Sequence, residues 1–126
     1  MHDCIYAFLP HEGSFDVNNV VRPAYQLNDP PVLAGEAFTA LPLALPEADN
    51  ILVETVKPCE DKARAFIVRL YEAEGAFTNT PVHFFEGAKS VSICNMLEEP
   101  QEGLEDLANV SLCFHPFEIK TLRVTY

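Results

Sequence analysis

The chain has 126 residues, of which 48% are hydrophobic and 10% aromatic, and it carries a formal net charge of −11. That length suits one domain with a core of its own, and the apolar content excludes a disordered chain. The acidic balance offers no basic surface for nucleic acid, and no apolar run approaches the roughly 18 residues that a membrane-spanning helix needs.

Taken in chain order, Cys4–Leu9 is a short apolar run closed by Pro10 and reads as a first strand. The opening MHDCIYAFLPHEG lacks the basic start and long apolar segment of a signal peptide. His11–Asp16 is a turn with helix-starting residues. Val17, Val20, Val21, Ala24 and Leu27 then recur at helical spacing. A short helix is expected within Asn18–Leu27, with Pro23 in its first turn and Pro30-Pro31 as its stop. Pro42 and Pro46 limit Phe38–Leu45 to an edge strand or an extended crossing.

Asn50 to Gly75 is the most ordered pattern in the chain. Two runs rich in β-branched and aromatic residues, Ile51–Val56 and Ala65–Tyr71, flank the charged stretch Lys57–Arg64. They read as neighbouring antiparallel strands joined by a polar loop. Each carries one internal charge, and Glu54 is expected to meet Arg69 across the pair. Thr80–Phe85, Ser90–Asn95, Asn109–Phe114 and Glu118–Thr125 follow as strands, and acidic Leu97–Leu107 as a solvated loop between two of them. The fold expected is all-β, an antiparallel β-sandwich with one short helix near the N-terminus, as a single domain over residues 1–126.

Chemistry is sparse. Cys4, Cys59, Cys94 and Cys113 form no CxxC pair, and Cys94 and Cys113 sit in apolar runs where a thiol acts as a small buried hydrophobe. A reduced, cytoplasmic protein is the expectation. His2, His11, His83 and His115 share no ligand spacing, so no zinc site made from this chain is expected. Among the carboxylates, Glu54 lies within a strand-like run, and Glu72 and Glu118 lie at strand ends. Pairing with Arg69 or an outward orientation accounts for all three better than a catalytic pair does. There is no GxSxG elbow and no phosphate-cradling glycine loop. Tyr25, Tyr71 and Tyr126 are the aromatics that could stack on a sugar, with packing as their plainer role.

Five segments in order are more specific: YAFLPHEGSF (Tyr6–Phe15), VVRPAYQLNDP (Val20–Pro30), NILVETVKPCED (Asn50–Asp61), VRLYEAEG (Val68–Gly75) and PFEIKTLRV (Pro116–Val124). Together they resemble the C-terminal β-sandwich region of glycoside hydrolase family 38, the α-mannosidases. The resemblance implies a non-catalytic domain of a longer retaining enzyme that hydrolyses terminal α-linked mannose. The nucleophile, the acid/base carboxylate and a divalent metal, zinc, would all lie in a catalytic domain of the same polypeptide. No catalytic residue and no cofactor are implied for this chain, which alone should not act on mannosides. Arg69 would pair with Glu54 or Glu72 to fix the hairpin register. Lys57, Glu60 and Asp61 would be candidates for contact with the catalytic domain or its cleft. Phe117, Ile119, Leu122 and Val124 would close the sandwich. An exposed apolar face, the former interface, would fit this reading and could drive dimerisation of the separated domain. The rival reading is a carbohydrate-binding or interaction sandwich.

Overall fold

The computed structural model describes residues 6–29, 44–61 and 63–126. The chain divides into two compact units, Met1–Leu33 and Ala34–Tyr126. Among the described residues, the strands of the sandwich expected over residues 1–126 all lie in the second.

In the first unit a π-helical turn, Val17–Val21, runs into the α-helix α1, Arg22–Asn28. Asp16 caps it: its carboxylate accepts the backbone N–H of Asn19 at 2.7 Å. Pro23 sits in the first turn of α1, where its missing N–H costs nothing. The helical expectation holds there, but the described part of the strand expected over Cys4–Leu9, residues 6–9, is not a strand. Residues 6–9 have no regular secondary structure, and Tyr6 and Phe8 are exposed. Cys4, Ile5 and the Pro30–Pro31 stop lie outside the described residues, as does Phe38–Leu45 up to residue 43.

The described residues of the second unit hold eight strands: β1 (Ala44–Pro46), β2 (Ile51–Pro58), β3 (Ala65–Glu72), β4 (Thr78–Phe84), β5 (Ser90–Cys94), β6 (Pro100–Leu104), β7 (Ser111–Phe114) and β8 (Ile119–Thr125). All pairings are antiparallel, in a three-stranded sheet of order β1-β4-β7 and a five-stranded sheet of order β2-β3-β8-β5-β6. β1 is an edge strand, the position that Pro46 requires.

Alternation builds the core. Val68 and Leu70 of β3, with Leu122 and Val124 of β8, face Val82 and Phe114 of the other sheet, all at most 2% exposed. The same period sends Cys113 outward, because its neighbours Leu112 and Phe114 take the inner face. Its expected burial is therefore corrected, whereas Cys94 is buried. Phe117 and Ile119 are corrected too. Ile119 lies opposite Tyr71, on the face away from Leu122, and Phe117 precedes β8 in a turn. Both are exposed.

β6 lies within the stretch expected to be a loop. It is the last strand of its sheet, bonded on one side only to β5, and four of its five residues are exposed. An edge strand with so little to bury shows no apolar alternation, and Pro100 at its start is tolerated there.

Candidate functional site

On the outer face of the five-stranded sheet, β-pairing collects the cations. A bulge interrupts the β2–β3 register between Val53 and Thr55. Without it Glu54 would follow Val53 and lie opposite Arg69. With it Thr55 takes that place, and Glu54 stays exposed, accepting a hydrogen bond from the Thr55 hydroxyl. The expected Glu54–Arg69 pair is thus replaced. Arg69 Nη2 lies 3.7 Å from Glu98 Oε1, and Lys57 Nζ lies 2.5 Å from the same oxygen. Glu72 is no alternative partner, since a spacing of three puts it and Arg69 on opposite faces of β3.

Glu98 stands in the β5–β6 turn with φ at +66°, and its side chain is only 12% exposed. Its hydrogen bond raises the Lys57 pKa above the ordinary lysine value, against the smaller opposing effect of burial. Beside it, Arg123 Nη2 donates to Asp61 Oδ2 at 2.6 Å and Ala63 N–H donates to Oδ1 at 3.0 Å. The Arg123 contact first, then the Ala63 donor, hold the Asp61 carboxyl below its usual range. Glu60, Asp61, Glu98, Glu99 and Arg123 line a cleft of about 280 Å³. Of the loop residues singled out from sequence, Lys57 and Asp61 are therefore engaged within the sandwich. Glu60 reaches Lys57 only at 3.7 Å and is largely exposed. Cys59 and Cys94 are buried free thiols, and burial raises the pKa of both.

The second centre lies at one end of the sandwich. Glu72 closes β3 with no exposed surface, yet it is ionisable. Its Oε2 accepts the backbone N–H of Gly75 at 2.7 Å and of Phe117 at 3.0 Å; its Oε1 accepts Glu74 N–H at 2.8 Å and Asn50 Nδ2 at 2.9 Å. Burial pushes the carboxyl pKa up, but these donors together outweigh it and leave it below the usual glutamate value. Asn50 also donates to Thr78 Oγ1 at 2.7 Å, so the node ties four segments of chain.

Phe117 is fixed by that node. It sits in the turn closed by Glu118 N–H to His115 C=O at 3.0 Å, with φ at +59°. A left-handed backbone at an aromatic residue costs about 1–2 kcal/mol, which is why glycine usually fills such positions. Its ring lies over Gly75, where an added Cβ would stand 2.8 Å from Phe117 Cζ. Phe77 packs edge-on against His115, ring centroids 5.4 Å apart. Sequence reasoning missed Glu98, Arg123, Phe77 and the role of Phe117. The one available signal was Glu72 followed at three residues by Gly75, the spacing of a turn folding back on a carboxylate.

Of the tyrosines, Tyr126 stacks on Phe66 at 4.9 Å with Arg64 over its ring, and Tyr25 belongs to α1. Among the described residues, no group of three or more His, Cys, Asp or Glu is placed to hold a metal ion. His83 is engaged with Glu47 at 2.6 Å. No helix among the described residues is long and apolar enough to cross a membrane.

The residues that make the hairpin, the Glu72 node and most of β8 fall inside one match. Residues 50–122, more than half of the chain, match the model of the glycosyl hydrolases family 38 C-terminal beta sandwich domain. The chain belongs to that family. Similar curated proteins are alpha-mannosidase 2C1 of Homo sapiens, 33% identical over 96% of this chain, and alpha-mannosidase G of Dictyostelium discoideum, 32% identical over 97%. In each case the chain spans only 12% of the relative's length. The two antiparallel sheets are what the family 38 C-terminal sandwich calls for, and Asn50, Glu72 and Gly75, all within the match, are joined by the node.

Proposed function

We propose that this family 38 sandwich is the non-catalytic C-terminal domain of a retaining α-mannosidase, a longer polypeptide that hydrolyses terminal α-linked mannose. One observation carries the proposal: nearly the whole chain aligns with proteins named alpha-mannosidases while accounting for 12% of their length. The carboxylates support a non-catalytic role. A retaining glycosidase holds two carboxyls roughly 5 Å apart across the scissile bond, one of them free to attack. Here Glu72 is saturated with donors, Glu118 is bound to Lys120 at 2.7 Å, and Glu54 stands on an exposed bulge.

In this reading the sandwich packs on a catalytic part of the same polypeptide, which binds the mannoside and supplies the attacking carboxylate. The divalent metal that family resemblance implies, zinc, belongs to that part as well. A cytoplasmic setting accords with Cys59, Cys94 and Cys113 being free thiols.

The test is hydrolysis of an aryl α-mannoside by three samples: the whole polypeptide, the sandwich alone, and the whole polypeptide lacking it, each with and without added zinc. Activity confined to the whole polypeptide is expected. Turnover by the sandwich alone would overturn the assignment, and full activity of the polypeptide lacking it would overturn a contact with the catalytic part that activity needs.

A further inference from the structure

Phe77, Phe117 and Ile119 are 64%, 70% and 53% exposed, and the first two join through His115 and the turn into one apolar end of the sandwich. The backbone that carries Phe117 is held in place. The buried Glu72 carboxylate fixes the Phe117 N–H, and Gly75 leaves room for the ring above it. Phe117 also keeps a left-handed backbone that glycine would adopt without strain. Strain retained at an exposed aromatic points to a contact that uses the ring. The acidic cleft differs, because Lys57, Arg69 and Arg123 already pair with Glu98 and Asp61 inside the sandwich.

We infer that the end carrying Phe77 and Phe117 is the seat on which the catalytic part of the same polypeptide docks, through an apolar socket that takes both rings. This rests on the function proposed above. The size of the surface selects the occupant. Two largely exposed rings and a half-exposed isoleucine offer roughly 300–400 Å², whereas a stable association of separate chains buries about 800 Å² on each. A second copy is therefore poorly served by this patch. A tethered neighbour is well served, because tethering supplies an effective concentration of order mM. The relatives provide such a neighbour, since this chain spans only 12% of their length.

The experiment uses the whole polypeptide with Phe77→Cys or Leu97→Cys, Leu97 being 79% exposed at the acidic cleft. Each is labelled with a maleimide under native conditions and in urea, and the sites are resolved by peptide mass mapping. The expected result is labelling at position 77 slowed at least tenfold relative to urea, independent of protein concentration, with position 97 labelled freely. Equal labelling at 77 and 97 overturns the inference, as does protection at 97 alone. Protection at 77 that appears only as protein concentration rises overturns it in favour of a second copy. Aryl α-mannoside hydrolysis by the same samples separates the two readings: an active enzyme labelled freely at 77 overturns the docking seat alone, and a protected but inactive one overturns the enzymatic reading alone.

Discussion

Glu72 accepts the backbone N–H of Phe117 at 3.0 Å across 45 residues of sequence. Four donors converge on this one carboxylate, two on each oxygen. Glu72→Gln keeps the shape but turns one acceptor oxygen into a donor NH2, which would then face two N–H groups. An unsatisfied buried group costs about 1–3 kcal/mol. The variant should lose stability of that order, measured as a lower urea midpoint with an unchanged slope.

The same carboxylate gives the sandwich an acid limit. Its folded pKa lies below the ordinary value, because the donors outweigh burial. Its contribution is therefore complete above the unfolded pKa of about 4.3 and is lost as pH falls through the folded pKa. Glu118 acts in the same direction, its Lys120 and His115 contacts outweighing burial. Urea unfolding between pH 7 and pH 3 should show the parent losing stability in the acid range. The gap between parent and Glu72→Gln should narrow there.

Gly75 has φ at +74° and lies against the Phe117 ring. Gly75→Ala should cost about 1–2 kcal/mol from the backbone alone. Phe117 can swing away, so adding Phe117→Ala should recover little of that loss in a thermal melt. By contrast, Phe117→Gly relieves the turn, and the isolated melt should stay within about 1 kcal/mol of the parent.

Two glutamates near Arg69 should behave oppositely. Glu54→Ala should change stability by no more than about 0.5 kcal/mol, because Glu54 is exposed on the bulge. Glu98→Asn keeps a residue that tolerates a left-handed backbone but removes the carboxylate shared by Lys57 and Arg69. It should lower the melting temperature, with the difference from parent shrinking as salt is raised.

The hairpin was legible because its β-branched runs are long and its loop is polar, and the sandwich followed from the number of such runs. Four features were not legible, each for a physical reason. A bulge leaves composition unchanged, so counting by twos placed Glu54 where Thr55 stands. β6 buries too little to show an apolar pattern. The Glu72 node is completed by a backbone donor 45 residues away, and a peptide N–H leaves no mark in a sequence. Glu98 was hidden for a related reason: in an acidic stretch, nothing distinguishes the one carboxylate that folds back over Lys57.

The strand order carries a consequence for how the molecule is made. β8 follows the other seven described strands in sequence but lies between β3 and β5, bonded to both. The β2–β3 and β5–β6 hairpins can form as soon as they are synthesised, yet each then presents an open backbone edge until β8 arrives. Assembly of the sheet therefore waits on its final strand, and the interval before that is when the nascent chain is most exposed to pairing with other chains and to proteolysis.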